Sequence, residues 1–588
     1  MKAIIKRRIS ASPESHFSAH LHPLLQRIYG SRGVSSDAQV KTDLSSLLKP
    51  DSLKGLPTAV DRIHQALISH QRILVVGDFD ADGATSSALA VMALRSMGAT
   101  FVDFLVPNRF DYGYGLTPEI VEVAKQFSPD LIITVDNGIS SISGVDEANR
   151  AGIDVVVTDH HLPGSELPKA CAIVNPNQPG CEFISKNLAG VGVVFYVMTA
   201  LRSQLRSCHW FSDKGLDEPN MADYLDLVAL GTVADVVPLD HNNRILVAQG
   251  LRRIRAGRSR PGIKSLLNIA NRSEHRLVSS DLGFALGPRL NAVGRLDDMS
   301  LGIQCLMTND ENLASEIARQ MDDLNQDRKS IEGSMQQEAL NQLQNIDVDE
   351  SSLPFGLCLY NGNWHQGVIG ILASRIKERY HRPVIAFADS DEEGMIKGSA
   401  RSIPGLHIRD ALDAVAASHP HILSKFGGHA MAAGMSLEKQ YYHEFETAFD
   451  REVRRQLTED DLQAIIFSDG ELASADINLD LAQLLRDGGP WGQHFPEPIF
   501  DGTFTLLQQR IVGEKHLKMV LGIGDDKQQI IDAIVFNVDT ECWPNPQATH
   551  VAVAYKLDVN DFRGKQTVQL LVDHISVVNT GLREEWIS

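Results

Sequence analysis

The stretch Ile73-Leu74-Val75-Val76-Gly77-Asp78-Phe79-Asp80-Ala81-Asp82-Gly83-Ala84-Thr85-Ser86 decides how the chain is read, because a short β-branched run stops at a glycine and gives way to three alternating acids. Apolar runs of this length, bounded by turn residues and separated by helical stretches, mark strands buried on both faces of a parallel sheet. The pattern recurs. Leu131-Ile132-Ile133-Thr134-Val135 is followed by Asp136-Asn137-Gly138, and Val155-Val156-Val157-Thr158 by Asp159-His160-His161. A fourth apolar segment, residues 225–233, leads into Ala234-Asp235-Val236-Val237-Pro238 and counts here as a fourth strand-terminal acidic motif. The fold class is α/β.

In a parallel sheet every strand runs the same way, so residues just past the carboxyl ends share one crevice, where such folds bind ligands. Asp80, Asp82, Asp136, His160 and Asp235 are expected there, with Asp78, Asp159 and His161 beside them. A lone Asp-x-Asp is more often a loop or a helix cap, and the pair His160-His161 alone is more often a surface or core pair. Four such motifs in one region are much harder to explain as caps. So many carboxylates at close range cannot all stay ionised without a compensating cation. Oxygen ligands with one imidazole and no thiolate favour a divalent ion, Mn2+ or Mg2+. If one carboxylate bridges, two ions roughly 3.5–4 Å apart can act on a phosphoryl centre. Hydrolysis of a phosphate ester is the chemistry expected.

The rest of the chain sets this crevice in a larger frame. At 588 residues several domains are expected, since one core stops growing at roughly 250–300 residues. An N-terminal extension packed on the catalytic body is assigned to 1–71, the catalytic body to 72–310 and a long, partly exposed connecting helix to 311–348. A second α/β body at 349–458 and a β-barrel at 459–588 complete the division. The last assignment rests on short alternating runs such as Leu517-Lys518-Met519-Val520-Leu521. Fifty-five Lys and Arg against 75 Asp and Glu leave a net charge of −20, which argues against binding nucleic acid or anionic membrane by bulk charge. Six cysteines without a CxxC pair suggest neither a zinc ribbon nor a disulfide framework. The start lacks a signal-peptide core, and no stretch reaches the roughly 18 apolar residues of a membrane helix. A soluble, cytoplasmic protein is expected.

The acidic motifs resemble the DHH phosphoesterase superfamily, and within it the single-strand-specific 5′ exonucleases. Gly287-Pro288-Arg289-Leu290-Asn291-Ala292-Val293-Gly294-Arg295 is similar to a phosphate-contacting segment of that family. Trp364-His365-Gln366-Gly367, Gly398-Ser399-Ala400-Arg401-Ser402 and Phe426-Gly427-Gly428-His429 are similar to its associated DHHA1 domain. The resemblance implies an OB-like C-terminal barrel. It also implies Asp80 on a first metal, Asp82, His160 and Asp235 on a second, and Asp136 between them. His161 would polarise the scissile phosphate, with Asp159 behind the histidines. Many superfamily members carry a metal-binding histidine where this chain has Val76, so Asp78 or water is expected to complete the first site.

Taken alone, Arg289 and Arg295 flanking Asn291 suit phosphate recognition, although two Arg at this spacing are more often surface ion-pair partners. Ser399, Arg401, Gly428 and His429 are candidates to grip a terminal phosphate. Arg109 and Tyr114, with Trp364 and His365, are candidates to touch a strand by charge and stacking. The resemblance implies a metal-dependent exonuclease releasing 5′ mononucleotides from single-stranded DNA in recombination and repair. It further implies a single-strand-binding protein and a helicase as partners; a monomer is expected. The rivals are a phosphodiesterase for short oligonucleotides or cyclic dinucleotides and a non-catalytic scaffold.

Overall fold

A computed structural model of the chain describes residues 4–9, 16–107, 115–344, 353–524, 529–562 and 564–578. Arg109 and Tyr114 lie outside the described residues. Strand β1 (Ile4–Arg7) and helix α1 (Leu56–Ile68) precede the first sheet, which is made of β2 (Arg72–Gly77), β3 (Phe101–Leu105), β4 (Leu131–Val135), β5 (Asp154–Thr158) and β6 (Ala172–Val174). Its order is β3-β2-β4-β5-β6 and every pairing is parallel. The three runs that mark strands in the sequence are the central ones. Their side chains from Leu131 to Val135 and from Val155 to Thr158 are all buried, as a sheet covered on both faces requires.

Helix α2 (Ala81–Ser96) follows β2, and α3 (Gly190–Ser207) and α4 (Leu225–Ala234) pack against it. The segment 225–233 is therefore a helix, where the sequence reading has a strand. Residues Leu225 to Thr232 are buried on every side, so no polar face interrupts the apolar run and its period is invisible. Asp235 reaches the crevice from the carboxyl end of a helix.

After α5 (Gly287–Leu296) comes α6 (Glu311–Gln344), about 51 Å long at 1.5 Å per residue. Its first half buries Ala314, Ile317, Ala318 and Met321 against the first body, and its second half buries Met335, Ala339 and Leu343 against the next. One helix thus serves two cores. Between them the partly sequestered Arg328 pairs with Glu332 at 2.6 Å. The second body holds β7 (Leu357–Tyr360), α7 (Ile369–Tyr380), β8 (Val384–Asp389), β9 (Met395–Arg401), β10 (Leu423–Gly428) and β11 (Ala432–Glu438), in the sheet order β10-β11-β9-β8-β7.

Strand β12 (Ile465–Ser468) pairs in parallel with β1, so the N-terminal segment, which shows no strong strand in the sequence, clasps the C-terminal region as well as the first body. Strands β13 (Phe500–Val512), β14 (His516–Ile523), β15 (Gln529–Val535), β16 (His550–Phe562) and β17 (Lys565–Val577) close a barrel in the order β13-β14-β15-β17-β16. The expected α/β class with a C-terminal barrel is the architecture observed. No helix among the described residues is long and apolar enough to cross a membrane.

The barrel region is held to the first body by Tyr29, Trp491 and Phe495, whose rings lie 5.1–6.0 Å apart. A buried fork joins the same parts: Arg32 donates to both oxygens of Asp469 at 2.8 and 2.9 Å, with side chains 1% and 2% exposed. Removing one partner leaves a buried charge uncompensated, at a cost of about 3–5 kcal/mol. Asp469→Ala should therefore shift the first urea-unfolding transition to lower denaturant, whereas a shift worth less than about 0.5 kcal/mol, the range of ordinary surface changes, would deny the fork this role.

Candidate metal centre

Sheet register brings three acids to one level. Val135 pairs with Gly77 on one side and Thr158 on the other, so Asp78, Asp136 and Asp159 each stand one residue past the same rung. The chain leaves β2 toward β3 on one flank and returns to β4 on the other, which makes this crevice a topological switch point. Asp80 caps α2, its Oδ1 accepting the N–H groups of Asp82 and Gly83 at 2.9 Å each. Asp82, fully buried, accepts the N–H groups of Gly190 at 2.5 Å and Val191 at 2.9 Å, at the N-terminus of α3. A helix N-terminus favours such a carboxylate.

The Gly190 contact is one that sequence reasoning missed. A Cβ on Gly190 would stand 2.6 Å from the Asp136 Cβ, so only glycine lets α3 approach so closely. The signal available was Gly190-Val191-Gly192 at the head of an apolar helix. Asp136 has φ of +61°, a left-handed conformation tolerated best by Asp and Asn among residues with side chains.

Here the ligand candidates meet. His160 Nε2 lies 3.1 Å from Asp136 Oδ1 and 3.5 Å from Asp235 Oδ2. His160 Nε2 and Asp235 Oδ2 are buried yet make no hydrogen bond among the described residues, a state that calls for a missing ligand. Asp82, His160 and Asp235 can each offer one atom within 4.8 Å of the others, and so can Asp78, Asp80 and Asp136. A third such group, Asp136, His160 and His161, shares one member with each and joins the two. Oxygen donors with one imidazole fit Mn2+ or Mg2+, and Asp78 stands where it can serve the site that Val76, buried in the sheet, cannot.

The electrostatics agree. Burial, then repulsion from Asp80, push Asp82 up to about 7 despite its two backbone bonds. Burial and the neighbouring acids, Asp82 and Asp80 foremost, raise Asp136 and Asp235 well above the ordinary carboxylate range. Burial and the adjacent His161 push His160 down to about 3, leaving the neutral imidazole that a metal takes. His161 behaves in the opposite way. Burial would lower it, but its 2.7 Å bond to Asp159 and the charges of Asp159, Asp78 and Asp80 lift it to about 9. Asp159, which burial would raise, is held low by His161 and the Ile139 N–H. The pair presents a cation beside the carboxylate cluster.

The remaining candidates divide. Asn291 Oδ1 accepts the N–H of Ala81 at 2.8 Å, and Gly294 packs so close that a Cβ would stand 1.7 Å from the Phe79 carbonyl oxygen; α5 thus buttresses the acidic loop. Arg289 pairs with Asp322 on α6 at 2.8 Å. Arg295 donates to the Gly367 carbonyl at 2.9 Å, joining the two bodies. Trp364 is buried, its indole N–H on Glu338, and His365 Nδ1 accepts the Gly367 N–H, so Trp364 offers no open face for stacking. Arg401 is half-buried and, among the described residues, meets Ser399 Oγ and the Ala400 carbonyl and no carboxylate. The backbone at Gly428 leads into His429, whose ring lies 6.4 Å from that of His161. The structure therefore brings His429 beside His161, with Gly428, Arg401 and Ser399 on adjoining strands of the same sheet.

Family-level sequence models match residues 72–232 as the DHH family N-terminal domain, 354–457 as the DHHA1 domain and 468–574 as the RecJ OB domain. The chain is 56% identical over 576 residues to the single-stranded-DNA-specific exonuclease RecJ of Dickeya dadantii, covering 98% of this chain and 100% of that one. It is 54% identical to the Escherichia coli protein of the same description, over 97% of this chain and 98% of that one. The crystal structure of Thermus thermophilus RecJ in complex with Mn2+ superposes with a TM-score of 0.78 at 28% identity, covering 98% of this chain and 80% of that one. The Mg2+ complex gives 0.74 at 26% identity, with 98% and 79% covered.

Crowded carboxylates cost stability that bound cations restore. Chelator-stripped protein should melt at a higher temperature once Mn2+ is added. In Asp136→Asn, which keeps the tolerated backbone conformation and removes one charge, the metal-free melting temperature should not fall and the Mn2+-induced rise should disappear. An undiminished rise in that variant would remove Asp136 from the site.

Proposed function

The chain belongs to the RecJ family of single-stranded-DNA-specific exonucleases, and from that premise we propose that it degrades single-stranded DNA from the 5′ end to 5′ mononucleotides, with the Asp/His crevice as its catalytic centre. The observation that carries the reading is the convergence of His160 Nε2 and Asp235 Oδ2, buried and without a hydrogen-bond partner among the described residues, on Asp136 at the ends of β4 and β5. Asp82, His160 and Asp235 would hold one divalent ion and Asp78 and Asp80 the other, with Asp136 shared. Bound there, the ions would supply charge neutralisation and Lewis-acid activation of water at the phosphorus.

The chain's own groups do the rest. His161, kept protonated by Asp159, offers its cation to a nonbridging oxygen of the scissile phosphate and stabilises the charge that grows there. Water attacks phosphorus, the P–O3′ bond breaks, and the 3′ oxygen leaves on the terminal nucleotide. Arg401 and Ser399, on the second body, hold the 5′-terminal phosphate: a half-buried guanidinium with no carboxylate partner among the described residues suits an incoming anion. His429 closes the gap toward His161. Arg289, Asn291, Arg295, Trp364 and His365 set the loops around the strand instead of reading it, as their internal hydrogen bonds and ion pairs support. The division into a catalytic body, a connecting helix, an end-binding body and a barrel groove for single strands follows the order of the elements.

Family membership fits work in DNA repair and recombination; we further propose a cytoplasmic monomer that acts beside a single-strand-binding protein and a helicase. A time course on 5′- and 3′-labelled single strands and on blunt duplex tests the function: the 5′ label should leave first, as mononucleotide, from single strands and only with Mn2+ or Mg2+. Prompt release of the 3′ label, or equal attack on duplex, would refute it. Arg401→Ala should lower kcat/KM on 5′-phosphorylated strands about ten- to a hundredfold, the weight of charge-assisted hydrogen bonds, and less on 5′-hydroxyl strands. An equal loss on both ends would place Arg401 elsewhere.

A further inference from the structure

The face of the second sheet that carries Arg401 and Ser399 continues past them. Side chains two apart on a strand share a face, and along β9 the series Arg401, Ser399, Lys397 lies on the side opposite Ile396 and Ala400, which enter the core. Register extends the rows sideways. Ser399 stands beside Gly434, which stands beside Gly427; Lys397 stands beside Ser436, which stands beside Lys425. The two lysines therefore flank Ser436 across three strands, about 10 Å apart at the backbone, and their row lies about 7 Å beyond that of Ser399.

This row lines an open cavity of about 420 Å³ whose walls include Lys397, Lys425, Ser399, Ser436 and the side of Phe426 and, among the described residues, no acid. In a chain with twenty more acids than bases, a cavity edged by two lysines and no carboxylate is a marked local reversal of charge. Neither lysine has an acidic partner among the described residues. A Cβ on Gly427 or Gly434 would meet nothing within 4 Å, so space lies open above the middle row. The cavity runs on from the terminal-phosphate position and away from the metal centre, since it is Arg401 that pairs with Ala432, next to the turn bearing His429.

We infer that Lys397, Lys425 and Ser436 form a second phosphate subsite beyond the one at Ser399 and Arg401, which admits 5′ ends bearing an additional phosphate group. The inference rests on the assignment of Ser399 and Arg401 to the 5′-terminal phosphate. Two sources share this chemistry: a phosphoanhydride extension, as on a 5′-triphosphorylated strand, and the phosphodiester of one further nucleotide when the strand is threaded one step deeper and a dinucleotide is released.

The test compares wild type with Lys397→Gln and Lys425→Gln in the full chain with Mn2+, on single strands ending in 5′-hydroxyl, 5′-monophosphate or 5′-triphosphate, with products separated by length. If the subsite takes a phosphoanhydride, the ratio of kcat/KM for triphosphate to monophosphate ends falls about tenfold or more in either variant, and Lys397→Arg restores it. If it takes a second nucleotide, that ratio stays level while the dinucleotide fraction among the products falls. If neither ratio nor fraction differs from wild type in either variant, the subsite does not exist. Failure of the parent reading is seen separately: Arg401→Ala would then leave the monophosphate-to-hydroxyl ratio unchanged, whatever the lysine variants do.

Discussion

Mutual repulsion among Asp78, Asp80, Asp82, Asp136 and Asp235 is the constraint on which the rest of the structure depends. Three of these side chains are almost wholly removed from solvent, where like charges cannot be screened. The surrounding chain is arranged to tolerate the cluster: the head of α3 donates two N–H groups to Asp82, the head of α2 is capped by Asp80, and Asp159 is spent on His161. What these devices leave over must be neutralised from outside, by cations. A site built in this way is a stability liability when empty and a strong Lewis-acid platform when filled, which is a common compromise at active sites.

Much of this was legible in the sequence, for a physical reason. Strands buried on both faces of a parallel sheet are unbroken apolar runs, so Leu74 to Val76, Leu131 to Val135 and Val155 to Val157 announce themselves, and the acids at their ends fall into one crevice by the direction of the strands alone. The helix at Leu225–Ala234 was not legible as one, because a segment buried all round loses the polar face that marks a helical period. Short β3 and β6 also escaped. Phe101, Asp103 and Phe104 are exposed or partly so at the sheet edge, and three residues at Ala172–Val174 are too few to carry a pattern. Side-chain partnerships of the arginines were illegible as well: nothing near Arg289 in sequence points to Asp322, thirty-three residues on, and the Arg295 contact with Gly367 depends on how α6 sets the second body against the first.

The net charge of −20 acquires a different meaning from the structure. A share of the acidity is concentrated in the acidic crevice, while Arg401 and the two lysines beyond it, which have no acidic partner among the described residues, collect on one sheet of the second body. In the proposed reading, a strand held between these surfaces would meet neutralised acid on one side and base on the other. Binding of that kind would be local and ionic, and is expected to weaken with salt even though the net charge of the protein is negative. The close packing of Gly294 on the Phe79 carbonyl and of Gly190 on Asp136 shows how little slack the catalytic side of this cleft has.

The central claim is that the carboxylate cluster holds two ions with Asp136 between them. Diffraction from crystals grown with Mn2+, recorded near the manganese absorption edge, tests it most directly. The account predicts two anomalous peaks roughly 3.5–4 Å apart, one within reach of Asp82, His160 and Asp235, the other of Asp78 and Asp80, and both within reach of Asp136. A single peak, or a second one that Asp136 does not touch, would contradict it.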